Sequence, residues 1–454
     1  MNYLKNIKKD YKDINDLIIN EFNNITFIYL QTLCDQDKID NYILKYIKLN
    51  KKYLISPNTK EIKNYLELKR YLENGFLIII NNKEIYAIEV KTVLTRNIST
   101  PSTEPSRYGP KDSLVENIEA NLGLIRRRIK TEHLKSINIE IGKVTKTSTN
   151  IIYIDNIADI NLVKTIKDKL NNINIDGLLD ISILKKYFSN NNIFPTVRMT
   201  ERPDLISTSL LQGKVVILLD TSPYALILPS FFSDFINPIS DNYTKKISAN
   251  FLKILRIISF LLSIIIPGFY VAITTYNQET IPTTLLINFQ NQRIGVPIPA
   301  FLECLLTIIT CEILKESDIR FPSAYGSSIS ILGALVLGEA AVSAGIVSPI
   351  MIIVVSISYI SSLLFTDLEI SNAIRYWRFI FLLCGSSFGL YGIGLCLLFF
   401  LINLSSIETF NISYLYPLIP YDLPYLKETL ISGDNNKRSK ILSKNRIKGA
   451  KWKK

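Results

Sequence analysis

The chain has 454 residues, 48% of them apolar, and a formal net charge of +12. Five cysteines with no CxxC pair argue against a disulfide framework, and a single histidine, His133, leaves little for a Cys/His metal site. Ten Lys or Arg stand against Glu428 and Asp434 between Lys427 and Lys454, which is +8 and leaves only +4 for residues 1–426. The basicity is therefore a property of the tail. It suits an anchor beside anionic headgroups and does not indicate a nucleic-acid face.

The length predicts more than one domain. The first 250 residues are rich in Lys, Asn, Asp and Ile, and 251–407 are mostly hydrocarbon. The N-terminus has no apolar signal region, so the first half is expected to be cytoplasmic. Residues 1–70 read as mixed helix, on the spacing of Leu17, Ile18, Ile19 and Phe22, then of Ile43, Tyr46 and Ile47. Phe76–Ile80 and Glu84–Val90 flank Asn81-Asn82-Lys83 and predict a β-hairpin. Lys214–Leu219 and Tyr224–Pro229 have a similar layout. The two hairpins are expected to share one sheet, in a subdomain made of 1–95 with 198–245, with 96–197 inserted as an α/β subdomain.

The insert opens with a Pro/Ser/Thr-rich loop, 99–110. A helix capped by Asp112 or Ser113 should follow, with Leu114, Ile118, Leu122 and Ile125 as its apolar stripe. Strands are predicted over 137–146 and 150–154, a helix over 158–171, and a strand end and turn over 175–180. A phosphate loop is absent, because Gly142-Lys143 and Gly213-Lys214 are both followed by Val, and no Gly-x-Ser-x-Gly elbow occurs. A binding and assembly role is expected for this half, with no catalytic residues, cofactor or metal.

In the apolar half, 257–278 predicts a first membrane span, kinked at Pro267-Gly268. Residues 294–314 carry Glu303 and Glu312, nine apart, which suits an interfacial or cavity-lining helix in which Glu312 pairs with Lys315. Gly326–Pro349 is long enough, with its flanks from Phe321 to Thr366, for two crossings, and Glu339 is the only charge in the core run. Ala334, Gly338, Ala341 and Gly345 fall on one helical face, the pattern that lets helices approach closely in lipid. Residues 379–407 predict a last span, with Gly385, Gly389, Gly392 and Gly394 as a second close-packing set. Five crossing segments would put the two chain ends on opposite sides, so 294–314 is expected to be re-entrant or interfacial, which leaves loops 315–322 and 367–378 outside. The N-terminal half and the basic tail both favour the inside.

Several runs together resemble the A subunits of bacterial spore nutrient-germinant receptors. They are Gly109-Pro110, Asn121–Arg128, Thr200-Glu201-Arg202-Pro203-Asp204, Pro267–Ala272, Gly295–Phe301 and Gly338–Val342, in the family's order over about 75–420. The first 70 residues match nothing in that pattern, and the tail after Tyr421 is unusually rich in lysine. The resemblance implies a two-part α/β (α+β) cytoplasmic N-terminal domain followed by an all-α domain, 251–407, of four or five transmembrane spans, and then the basic tail, 421–454. It also implies a homo-oligomer in the spore inner membrane, assembled with a transporter-like B subunit and a lipoprotein C subunit, that forms a germinant-gated ion path. Glu339, Glu303 and Ser343 are the candidate path residues, Glu201, Arg202, Pro203 and Asp204 the family signature. The competing readings are an accessory germination channel without its own nutrient, a non-conducting scaffold, a secondary transporter and a membrane-anchored enzyme.

Overall fold

The computed structural model describes residues 2–421, apart from 23–24, 42–58, 63, 82–83, 93–100, 102, 105–107, 190–191 and 321–337. The N-terminal half builds two sheet units. The first contains α1 (Asn2–Asp10), β1 (Leu17–Phe22), β2 (Ile25–Leu30), β3 (Thr59–Glu61), α2 (Tyr65–Leu72), β4 (Phe76–Asn81) and β5 (Glu84–Glu89). Its strands pair antiparallel in the order β1-β2-β4-β5-β3. The helix expected around Leu17–Phe22 is instead strand β1. Leu17 and Ile19 pack on one face and Ile18 on the other. A strand covered on both faces loses its alternation, which is why helical spacing fitted equally well. Ile43, Tyr46 and Ile47 lie outside the described residues. The first hairpin forms as expected, from Phe76↔Glu89 to Asn81↔Glu84.

The second unit contains α3 (Ile118–Arg128), β6 (Leu134–Ile141), β7 (Thr147–Ile154), α4 (Ile160–Asn171), α5 (Ile181–Phe188), β8 (Arg198–Thr200), α6 (Pro203–Leu211), β9 (Val215–Leu219) and β10 (Ala225–Leu228). Its order is β6-β7-β9-β10-β8. The second hairpin forms too, but β9 pairs with β7 through Thr149↔Leu219. The expected sheet common to both hairpins is therefore not what the chain builds. Pairing groups 198–228 with the strands expected as an insert, and the similar layouts reflect two ordinary hairpins. Helices α4 and α5 cover one face of this sheet and α3 and α6 the other. Helix α3 starts at Ile118 with Asn117 as its cap, later than expected, because Asn117 Oδ1 accepts from Ala120 N at 2.9 Å.

The units are joined by a buried ion pair. Arg126 Nε donates to Asp16 Oδ2 at 2.7 Å, and Thr32 Oγ1 donates to the same oxygen at 2.6 Å. Nearby, Tyr11 OH donates to Glu73 Oε1 at 3.2 Å, and Lys69 Nζ lies 3.2 Å from Glu132 Oε1.

The C-terminal half contains α7 (Phe232–Ile236), α8 (Lys246–Thr275), α9 (Thr283–Arg293), α10 (Ala300–Arg320), a helical turn at 338–343, α11 (Pro349–Ser362) and α12 (Leu368–Ser406), then the short strands β11 (Glu408–Thr409) and β12 (Ile412–Ser413). Among the described residues, α8 and α12 have the length and hydropathy of a membrane crossing, and α11 is a shorter apolar helix.

Helix α12 is not one rod. Gly389 has φ +61 and ψ −144, a conformation outside the helix. A Cβ at Gly392 would collide with the carbonyl of Cys384. The Trp377 and Phe400 rings stack edge-on with centroids 4.8 Å apart. In a straight helix those residues would be roughly 34 Å apart at about 1.5 Å per residue. The chain therefore reverses at Gly389, and arms 368–388 and 390–406 pack antiparallel. The single last span expected over 379–407 is corrected to the later part of a helical hairpin.

The reversal also brings the two ends of α12 to the same end of the helical half. The rings of Phe260 of α8 and Phe194, just before β8, lie 6.4 Å apart, Glu369 at the start of α12 lies 2.7 Å from Lys185, and the Phe194 and Tyr414 rings lie 6.2 Å apart. The first half of α8 and both ends of the hairpin thus sit against the second sheet unit. At the opposite end, Leu390 N donates to Asn277 Oδ1 at 3.1 Å. The start of α12, expected on the far side from the N-terminal half, lies beside it.

Burial and the neighbouring Glu132 carboxyl push the Glu73 carboxyl up to about 7. A carboxyl raised in the folded chain stabilises it most below the ordinary value of about 4.3, and that contribution is lost as pH rises through about 7. Stability of the full chain, followed by thermal unfolding, should therefore fall between pH 5 and 8, and Glu73→Gln should flatten the slope.

Candidate functional site

Helix α8 must accommodate Pro267, which has no N–H to give to the carbonyl four residues earlier. That carbonyl belongs to Ser263. It accepts from Arg378 Nε at 2.9 Å and from Ser358 Oγ at 2.7 Å. One proline thus brings α8, α11 and α12 to a common point. The helices can approach because their neighbours are glycines. A Cβ at Gly268 would stand 2.5 Å from the Phe381 carbonyl, and one at Gly385 would stand 2.5 Å from the Gly268 carbonyl.

Arg378 is 2% exposed and carries a full charge among apolar neighbours. Its guanidinium also reaches the Ser358 carbonyl and lies 3.4 Å from Glu312 Oε1. Arg375 Nε lies 2.7 Å from Glu312 Oε2. Lys315 donates to Ser371 on α12. Glu312 thus gains its closest cations from another helix, where the sequence suggested Lys315 one turn on.

A second buried acidic side chain sits nearer the end of the bundle away from the sheet units. Glu303, on α10, is fully buried. Its Oε1 accepts from the N–H of Ser348 at 2.7 Å and from the Ser348 hydroxyl. Arg293 Nε lies 3.6 Å from Oε2, too far for a hydrogen bond. Burying a carboxylate this deeply costs several kcal/mol unless it is paired, so Glu303 marks a functional candidate.

Glu339 and Ser343 stand apart from this group. Both are exposed, on the turn 338–343. The Ser343 hydroxyl donates to the backbone carbonyl of Glu339 at 2.8 Å, so it is not a partner of the carboxylate. Of the small-residue face, Ala341 packs against a cluster that contains Tyr270 and Cys304. Gly345 has φ +67, and a Cβ there would stand 2.9 Å from the Gly295 carbonyl. Gly338 has nothing within 4 Å among the described residues, and Ala334 lies outside them.

The signature residues form a joint between β8, α6 and the start of the helical half. Glu201 is 5% exposed, and its Oε1 accepts from Thr103 N at 2.7 Å, Thr103 Oγ1 at 2.8 Å and Glu104 N at 3.1 Å. Arg202 forks onto Asp204, with Nε donating to Oδ1 at 3.0 Å and NH2 to Oδ2 at 2.7 Å. Pro203 starts α6, where its missing N–H costs nothing. Tyr243 OH donates to Asp204 Oδ2 at 2.8 Å, and burial with that bond pushes the phenol up to about 12. The Tyr243 ring fills the space that a Cβ on Gly109 would need. Sequence reasoning found these residues but not the joint, because Thr103, Gly109, Glu201, Asp204 and Tyr243 are far apart in the chain. It also missed Arg378, whose role depends on which helix faces Ser263.

Removing Arg378 should leave Glu312 with Arg375 as its close cation and leave the Ser263 carbonyl with Ser358 alone. Arg378→Met should destabilise the chain by about 3–5 kcal/mol, whereas Ser358→Ala should cost only about 1 kcal/mol. Thermal unfolding in detergent would measure both.

Comparison with known proteins gives this arrangement a family. The family of Bacillus/Clostridium GerA spore germination proteins matches residues 5–441. Spore germination protein KA of Bacillus subtilis (strain 168) is 31% identical over 94% of this chain and 83% of its own length. The uncharacterized membrane protein YfkQ of the same organism is 29% identical over 89% of this chain and 82% of its own. The crystal structure of the N-terminal domain of the A subunit of the Bacillus megaterium spore germinant receptor GerK3 aligns with a TM-score of 0.40 at 26% identity, over 50% of this chain and 94% of that one. The chain belongs to the GerA family of spore germination proteins, of the germinant receptor A-subunit type.

Proposed function

We propose that this chain is a membrane-embedded subunit of a germinant receptor, with α8, α10 and the two arms of α12 crossing the bilayer. The sheet units and the basic tail then face the cytoplasm of the spore inner membrane. Copies of the chain assemble around an ion path and work with a transporter-like B subunit and a lipoprotein C subunit. The observation that carries this reading is the set of charged side chains buried within an apolar bundle, Glu303 toward one end and Arg378 with Glu312 about halfway along it. Intramembrane charge is expensive and is kept where ions or protons move. Large apolar side chains left exposed on the same helices, such as Phe251, Phe388, Tyr391 and Ile402, supply a surface for lipid or a neighbouring copy.

The exposed Glu339 belongs in this reading as a residue that a neighbouring copy would cover or that would line a path between copies. Full-length chain reconstituted in liposomes should pass monovalent ions. Glu339→Ala and Glu303→Gln should each lower that flux several-fold and slow germination-linked ion release. Liposomes that pass no ions, together with unchanged release in both variants, would leave a scaffold role as the surviving reading.

A further inference from the structure

Three unsatisfied polar groups converge at the end of the bundle away from the sheet units. Oε2 of the fully buried Glu303 has no hydrogen-bond partner, and neither has the hydroxyl of Tyr270, which is 4% exposed. Arg293 Nε is also without a hydrogen bond, 3.6 Å from that oxygen. Tyr270 comes from α8, Arg293 ends α9, and Glu303 lies in α10, with Ser348 just before α11. A native interior leaves few such groups, and each needs a physical account.

The two halves of the Arg293–Glu303 contact differ in freedom. Glu303 is sealed in, held through Oε1 by Ser348. Arg293 keeps a quarter of its side chain exposed, on a helix that buries none of its residues. The guanidinium side chain is partly open and the carboxylate is not. A buried carboxylate that loses its counter-charge needs another cation. We propose that Glu303, Tyr270 and Ser348 form a binding site for a monovalent alkali cation, in which the Arg293 guanidinium is a tethered competitor. The site deepens the ion-path reading, on which its physiological role rests, although binding can be measured without conduction. A divalent ion fits poorly. It favours several carboxylate oxygens, and no group of three or more His, Cys, Asp or Glu suited to a metal occurs among the described residues.

The test uses full-length chain in lipid nanodiscs. Its unfolding temperature is titrated with potassium or sodium chloride, with N-methyl-D-glucamine chloride holding ionic strength constant. Arg293→Gln should be stabilised by the alkali ions, with a half-effect concentration at least tenfold below that of the unmodified chain. Adding Tyr270→Phe should raise that concentration several-fold, and adding Glu303→Gln should abolish the response. Arg293→Lys keeps a cation in place, so it serves if Arg293→Gln does not fold, and it should give an intermediate value. The site is overturned if the alkali ions act no better than N-methyl-D-glucamine on either variant. It is also overturned if Arg293→Gln is stabilised only by acid, since a proton then replaces the guanidinium. Alkali-specific binding in a chain that passes no current would keep the site and reject conduction.

Discussion

The carbonyl of Ser263 is the constraint on which the helical half depends. Pro267 deprives it of its helical donor, and inside an apolar bundle an unbonded carbonyl is costly. Arg378 and Ser358 supply the missing donors from two other helices. Because Arg378 is charged, it needs an anion, and Glu312 from a fourth helix provides it. One backbone vacancy therefore fixes four helices relative to one another. Gly268 and Gly385 follow from the same requirement, since the donors reach only if the backbones nearly touch.

In the sheet units, order comes from polar joints between apolar layers. Each sheet buries both faces, so the apolar clusters by themselves say little about how the two units meet. Asp16 with Arg126 does that in one place, and Asp204 with Tyr243 does it between the second unit and the start of the helical half. Both are multiply bonded carboxylates, which tolerate burial because nearly every lone pair is used.

Much of the fold was legible in the chain. Both hairpins, helices α3 and α4, and the close approaches at Gly385 and Gly392 follow from local chemistry. The failures share a cause. Strand β1 was mistaken for helix because burial on both faces erased its period, and the pairing of β9 with β7 cannot be read from either strand alone. The reversal at Gly389 was hidden for a different reason. In a run with four glycines, nothing local marks the one that takes a positive φ, and only the contact of Leu390 with Asn277 singles it out. At the candidate site, Glu303 was visible as a charge in apolar surroundings, whereas Arg378 looked like part of a loop. Glu339 drew attention by its isolation in sequence, yet isolation in sequence does not imply burial in space.

The doubled-back helix has a mechanical meaning. Both of its feet are fastened to the second sheet unit, one through Lys185 and Glu369 and the other through the packed rings of Phe194 and Tyr414. A hairpin clamped at both feet cannot slide one arm past the other. It can only rock as a stiff lever, whose tip at Phe388 and Tyr391 stands about 30 Å from the clamp, the length of an arm of some 20 residues. The Gly268–Gly385 contact lies close to that tip, so it pins the turn against α8, and a tilt at the base would pivot there and move the tip less than the feet.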